Sequence, residues 1–453
     1  MKRVGLILLW PFLITLIAGC KGFLEVKPLS SLAVLETLDD FKAVIQNETR
    51  MNGLYPFCYD YTSDYFYLPE TEFNALDESG RNAYLWRDQP AHQNNWTQNY
   101  GRIYDANVVL DGIDQAQLGN WTERDRHEVR GTARFFKAFS LHYLATAYAP
   151  AYQAGNSSGK MGIPLRYSSD INEPSVRASL EETYRYIEKL LKEAAGELPL
   201  KTKEKTLPTK EAAWAVLARH YLNMQDYVNA ERYADSCLAF NRDLLDYNKI
   251  IPRPASSHFK ELNAEVIFHA TRGDFSNVFS ANRARVDSVL YQLYEENDLR
   301  KKLFYKEGAD GSRRFYGDYA GVVDITSFAG LARDEVYLIS AECLVRKGRI
   351  RTGIDVLNEL LKNRIDAGAY VPLNVENQSD ALDIILKERR KELAFRSGLR
   401  WMDLKRINLD ATRSIVLTRQ IGNSIFELSP NSVRYVFKIP DQIIAMSGIE
   451  QNP

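Results

Sequence analysis

"GNSSGK", residues 155–160, is the stretch of this sequence that most resembles catalytic machinery. Gly155-x-Ser157-x-Gly159 has the spacing of a nucleophile elbow, which requires a buried strand before the serine and a helix after it. Here a helical pattern ending at Pro150 precedes the motif and "MGIPL" follows it. The same residues approach a phosphate-binding loop, but they are one residue short, and Lys160 is followed by Met161 rather than serine or threonine. A polar loop is the expectation. The 6 histidines are scattered, with no HExxH and no paired spacing for zinc, so no metal or cofactor is expected. Among 59 acids no pair is set apart by its surroundings as glycoside hydrolysis requires, so no catalytic residue is assigned.

Aromatic side chains suggest binding instead. The chain holds 26 Tyr, 20 Phe and 6 Trp. In "GLYPFCYDYTSDYFYLPETEF" (53–73), Tyr55, Phe57, Tyr59, Tyr61, Tyr65 and Tyr67 all fall at odd positions. An extended segment would turn them to one face, with Asp60, Thr62 and Asp64 on the other. Flat rings stack on the apolar faces of sugars, while amides and hydroxyls take up sugar hydroxyl groups. Trp86 and Trp96 follow in "NAYLWRDQPAHQNNWTQNY", a polar stretch rich in Asn and Gln. The ligand candidates are therefore Tyr61, Tyr65, Tyr67, Trp86, Trp96 and Tyr316, with Tyr319 beside the last in "RRFYGDYAG". Packing onto a helical scaffold is the competing role for each.

Helices must position these rings. "TKEAAWAVLARHYLNMQDYVNAERYADSCLAF" places Trp214, Leu217, Ala218, Tyr221, Ala230 and Ala234 at the spacing of a tetratricopeptide unit, with Gln225-Asp226 at its turn. "EVYLISAECLVRKGRIRTGIDVLNELLKNR" repeats the pattern through Tyr337, Ala341, Leu344, Gly348, Gly353 and Leu357. "NYGRIYDANVVLDGID" and "ERDRHEVRGTARFFKAFSLHYLATAYAP" form another helix pair, and "LEETYRYIEKLLKEAAGEL" is amphipathic. Thr37 and Asp40 frame a capped helix start. Residues 245–330 change character, and "EVIFHAT" alternates like a short strand. "RSIVLTRQIGNSIFELSPNSVRYVFKIP" reads as three short strands with turns at Gly422-Asn423 and Pro430-Asn431. The expected fold class is mainly α: a tetratricopeptide-like helical-repeat scaffold with overlying loops and a few short strands.

Composition narrows the function. Lys plus Arg total 58 against 59 acids, a formal net charge of −1, which argues against a nucleic-acid partner. Hydrophobic residues at 45% and charged residues at 26% describe a globular chain. The chain opens "MKRVGLILLWPFLITLIAGC": Lys2 and Arg3, an apolar run from Val4 to about Ala18 broken by Pro11, then Ile17-Ala18-Gly19-Cys20. The run falls short of the ~20 residues of a spanning helix and has the layout of an export signal. Its end is similar to the lipobox of bacterial lipoproteins, in which the cysteine carries the lipid anchor; acyl chains then hold the protein at a bilayer. Cys58, Cys237 and Cys343 remain, an odd number far apart, so no disulfide framework is expected.

Several segments together resemble one family, the SusD/RagB-like outer-membrane nutrient-binding lipoproteins. They are the lipobox with "GFLEVKP" after it, "GTARFFKAFSLHYLATAYA" (131–149), "DEVYLISAECLVRKG" (334–348), "ERRKELAFRSGLRWMDLKR" (388–406) and the closing "KIPDQIIAMSGIEQNP". Arg396-Ser397-Gly398-Leu399-Arg400 makes one turn a residue longer than the common pattern. The resemblance implies a non-enzymatic surface lipoprotein of the outer membrane, tethered at Cys20. It would bind an oligosaccharide or other nutrient and deliver it to a TonB-dependent (SusC-like) transporter. The implied organisation is a signal peptide at 1–19, an N-terminal region at 20–245 with ligand-binding loops, and a C-terminal region at 246–453 with the last tetratricopeptide unit. Glu388, Arg389, Arg390, Arg400 and Asp403 are expected to pair and lock helices together, because partly buried charge persists only when paired. A membrane-tethered glycoside hydrolase and a structural tetratricopeptide adaptor are the alternatives.

Overall fold

A computed structural model describes residues 35–87, 92–253, 257–273, 278, 282–322 and 327–453. Cys20 and the apolar run before it lie outside the described residues. The longer helices are α1 (Leu38–Ile45), α2 (Asn94–Gly112), α3 (Glu123–Tyr148), α4 (Leu180–Glu197), α5 (Lys210–Asn223), α6 (Tyr227–Phe240), α7 (Arg333–Arg346), α8 (Ile350–Leu361), α9 (Gln378–Glu392) and α10 (Leu399–Ile407). Helices α2 to α8 pack each on the next, so α6 lies directly against α7 although 92 residues separate them. The stack is thus continuous across residues 245 and 246. No helix among the described residues is long and apolar enough to cross a membrane.

Local signals explain the helix ends. Thr37 accepts from the Asp40 backbone N–H while Asp40 accepts from that of Thr37 at 2.8 Å, a reciprocal cap that begins α1. Thr122 and Asp125 repeat it at α3. Small residues set the close approaches. Ala218, Ala230, Ala234 and Ala341 are fully buried, and a Cβ on Gly353 would lie 2.7 Å from Val345 Cγ2 and 2.8 Å from the Ala341 carbonyl. Both tetratricopeptide registers are therefore present. Gln225 closes the first turn with φ of 60°.

Strands occur as six antiparallel pairs among the described residues. β1 (Phe66–Tyr67) pairs with β6 (Arg285–Val286), β2 (Met161–Pro164) with β3 (Arg177–Ser179), and β4 (Val266–Phe268) with β10 (Leu331–Ala332). β5 (Thr271–Arg272) pairs with β9 (Ser327–Phe328), β7 (Tyr305–Glu307) with β8 (Arg313–Phe315), and β11 (Leu417–Ile421) with β12 (Ser424–Leu428). Gly422-Asn423 forms the hairpin turn, as its sequence predicts. The third tail strand is absent. Val433–Tyr435 is a 3-10 turn, because Tyr435 packs its ring 4.6 Å from Trp401 instead of joining the hairpin.

Buried ion pairs lock the core. Arg389 meets Asp403 at 2.9 Å, Arg406 meets Glu342 at 2.5 Å, Arg219 meets Glu335 at 2.6 Å and Arg333 meets Glu211 at 2.9 Å. Pairing within the charged block is thus partly as expected, but Arg390 and Arg400 instead reach Asp64, at 3.1 and 2.7 Å. The longer turn has its own anchor, Arg396 to Asp334 at 2.7 Å. The "QNP" ending is bound in the same way. Gln451 exchanges two hydrogen bonds with Ile439, and Asn452 Nδ2 donates to the carbonyls of Tyr148 and Phe437.

Candidate functional site

The 53–73 stretch is not extended. Residues Cys58–Thr62 and Glu70–Asn74 form short helices, and only Phe66–Tyr67 are strand, so odd-numbered rings do not share a face. Tyr61, Tyr65, Trp86 and Trp96 are buried. Tyr65 packs on Phe395 with ring centroids 5.1 Å apart, and Trp86 donates its indole N–H to the Thr62 carbonyl at 2.8 Å. Arg419 on β11 fixes the Trp86 side of this segment. Its guanidinium lies 3.8 Å from the Tyr84 ring centroid and 4.5 Å from that of Trp86. It also donates to the carbonyls of Tyr61 and Ser63 at 2.9 and 2.8 Å, and to that of Tyr84. Burial brings Arg419 down to about 10. The rings of Tyr84 and Trp86 therefore surround a protein cation.

Tyr67 and Tyr316 lie differently. Tyr67 is 42% exposed on β1. Tyr316 is half-buried with the Lys306 ammonium 4.0 Å above its ring. Tyr319 is buried and donates to Glu265 at 2.6 Å. "GNSSGK" is a loop whose Ser157 hydroxyl donates to the Gln153 carbonyl at 2.8 Å, so it is no free nucleophile. Cys58, Cys237 and Cys343 are buried and unbridged.

Trp96 lines a groove of about 580 Å³. It begins a ladder on α2 with Tyr100 and Tyr104, four residues apart and so on one helix face. Trp96 and Tyr100 lie 4.7 Å apart by ring centroid, and the ladder runs outward from buried Trp96 to Tyr104, 45% exposed. The facing wall is Pro164 at the end of β2 and the loop from Arg166 to Ser175; Ile443, Met446 and Ile449 complete the lining. Tyr100 donates to the Pro164 carbonyl at 2.8 Å, and burial raises its hydroxyl pKa, so it stays neutral. Asn107 Nδ2 holds the carbonyls of Arg166 and Ser168 at 3.1 and 2.8 Å, while its Oδ1 has no partner. Arg166 braces the loop through the carbonyls of Glu173 and Asp170.

This lining offers aromatic faces, an apolar floor and amide groups, the composition of a site for a hydroxyl-rich ligand. Glu173 is the one acid lining it, so the carboxylate pair of a glycosidase is not assembled here. The carboxylates of Glu265, Asp334 and Glu392 do converge within 4.8 Å elsewhere, fully buried. Arg364 already bridges Glu265 and Glu392 at 2.7 Å each, and Arg396 holds Asp334, so cations of the protein fill the metal's place. Tyr100 and Tyr104 are not among the sequence candidates. Their signal is the four-residue spacing from Trp96, which carries meaning only when Trp96 lies on the helix rather than in a polar loop.

A helical-repeat scaffold with a surface groove lined by aromatic and polar groups defines a class of binding proteins. Comparison with known families places the chain within it. Residues 22–222 match a SusD-like family described as "Starch-binding associating with outer membrane", and residues 334–451 match the SusD family. The chain belongs to the SusD/RagB-like family. A SusD-like protein P2 of Formosa agariphila is 26% identical over 376 residues, covering 69% of this chain and 71% of the relative. A SusD superfamily protein of Bacteroides vulgatus superposes with a TM-score of 0.74 at 21% identity, over 92% of this chain and 99% of that one. The surface glycan-binding protein A of Bacteroides uniformis gives 0.72 at 15%, over 92% and 98%. The fold is therefore the tetratricopeptide-like one that the sequence predicts.

Proposed function

We propose that this protein binds an oligosaccharide in the α2 groove and delivers it to a TonB-dependent outer-membrane transporter, from a lipid anchor at Cys20. The Trp96–Tyr100–Tyr104 ladder beside a polar loop is the observation that carries the binding site. Family membership and the glycan-binding description of the Bacteroides uniformis neighbour support the ligand class. The ladder suits handover. Stacking contributes about 0.5–1.5 kcal/mol beyond area burial for an aromatic pair, so a sugar on Tyr104 is held without being trapped.

Tyr104→Ala in the full-length protein weakens binding of a recognised glycan several-fold in calorimetry and leaves the melting temperature unchanged, since the ring is half-exposed. Tyr67→Ala and Tyr316→Ala serve as controls. Loss of affinity in these two, with Tyr104→Ala binding as wild type does, would move the site to the β1–β6–β8 side of the molecule. Anchoring has a separate test. Cys20→Ala abolishes incorporation of labelled fatty acid and releases the protein from the membrane fraction. Labelling at the wild-type level would remove Cys20 as the anchor.

A further inference from the structure

The strand β2 and the C-terminal segment form a wall with a cavity on each side. Pro164 and Ile449 line the α2 groove, whereas Met161 and Asn452 line a second cavity of about 610 Å³. Lys160, from the unassigned "GNSSGK" motif, and Lys405 both line this second cavity, and no aspartate or glutamate does. Lys405 is 7% exposed. Its ammonium donates to the carbonyls of Thr146 and Ala149 at 2.7 and 2.6 Å, capping the end of α3. An ammonium carries three donors, and no carboxylate among the described residues pairs with this one. Lys391, also buried, shows the usual solution, with Asp298 and Glu388 at 2.7 and 2.9 Å. Burial without a counter-charge brings Lys405 down to about 7. Gln153, Asn408, Asn431 and Asn452 give the rest of the lining an amide character, and Tyr435 adds one ring.

We propose that this cavity is a second ligand site, taking the acidic group of a charged sugar residue, a carboxylate or a sulfate ester. Lys405 and Lys160 supply the positive charge; Lys160 also holds Gln153 Oε1 at 2.8 Å, and Gln153 Nε2 and Asn431 Oδ1 are the amide groups left to receive the sugar's hydroxyls. An anion entering here gives the Lys405 ammonium the third acceptor and the counter-charge that the fold withholds. Neutral sugars gain neither. The amide character alone would not distinguish this cavity from any polar pocket; the buried lysine with carbonyl partners and no paired carboxylate does. The site is independent of the α2 groove and stands whether or not that groove binds glycan.

Calorimetry on the full-length protein in non-ionic detergent, with four probes, tests this. These are oligogalacturonate, a sulfated galactan oligosaccharide, a neutral galacto-oligosaccharide and sodium sulfate. One of the two acidic probes binds at least tenfold more tightly than both the neutral sugar and the inorganic ion, and which one does so identifies the anionic group. Lys405→Met lowers that affinity at least tenfold. Because Lys405 also caps α3, Val433→Glu provides a second variant. Val433 lines the same cavity at its exposed rim, and a carboxylate there repels the acidic probe several-fold without touching the core. Equal binding of acidic and neutral probes, sulfate binding as tightly as either acidic sugar, or folded variants that bind as wild type does would each overturn the proposal.

Discussion

Arg300→Met lowers the stability of the fold by about 3–5 kcal/mol, the range for removing one partner from a buried ion cluster. Arg300 is fully buried and meets three carboxylates, Asp298 at 2.7 Å, Glu388 at 2.6 Å and Glu392 at 3.0 Å. Burial alone would raise the pKa of Asp298; Arg300 and Lys391 hold it instead at about 2. Without the guanidinium, Lys391 and Arg364 must neutralise the acids that three cations shared. Asp298 precedes a short helix, Leu299–Leu303, whereas Glu388 and Glu392 lie on α9, so the loss also unfastens the middle of the chain from its C-terminal helices. Urea unfolding followed by far-ultraviolet circular dichroism measures it. A double variant that also carries Glu392→Gln recovers part of the loss, because one stranded charge is removed with its partner. An unchanged midpoint in Arg300→Met would show that the cluster contributes nothing.

Arg419→Met has the second large effect. The substitution leaves the carbonyls of Tyr61, Ser63 and Tyr84 without their donor, at about 1–3 kcal/mol for each buried acceptor left unpaired. It also empties the position between the Tyr84 and Trp86 rings. The expected result is a destabilisation of about 3 kcal/mol or more, with tryptophan emission shifted to the red as water reaches Trp86. Trp86→Phe in the same background identifies the emitting ring. Wild-type emission together with a wild-type melting temperature would mean that the aromatic segment holds its place without Arg419.

Sequence and structure agree most closely where the determining contacts are short. The Thr37–Asp40 and Thr122–Asp125 caps close within one turn and are written in four consecutive residues. Ala218 and Gly353 specify close helix approach by their size alone. Gly422-Asn423 sets the β11–β12 register for the same local reason. The charged block is intermediate. Its need for partners was legible, since charge is not buried alone, but the partner of Arg390 and Arg400 is Asp64, more than 300 residues earlier.

The candidate site shows the opposite. Period-2 alternation in residues 55–67 suggested a strand, yet Cys58–Thr62 close into a helical turn and Arg419 claims Trp86 from the far end of the chain. Nothing local distinguishes a tyrosine that stacks on a sugar from one that stacks on a guanidinium, since both are flat, amphipathic rings. Residue type and spacing by themselves determined the helical-repeat scaffold, its family and the need to bury paired charge. Which rings face solvent was settled by packing between distant segments. Burial is a property of the assembled surface, and α2, β2 and the C-terminal residues, far apart in sequence, meet at the groove only in the tertiary structure.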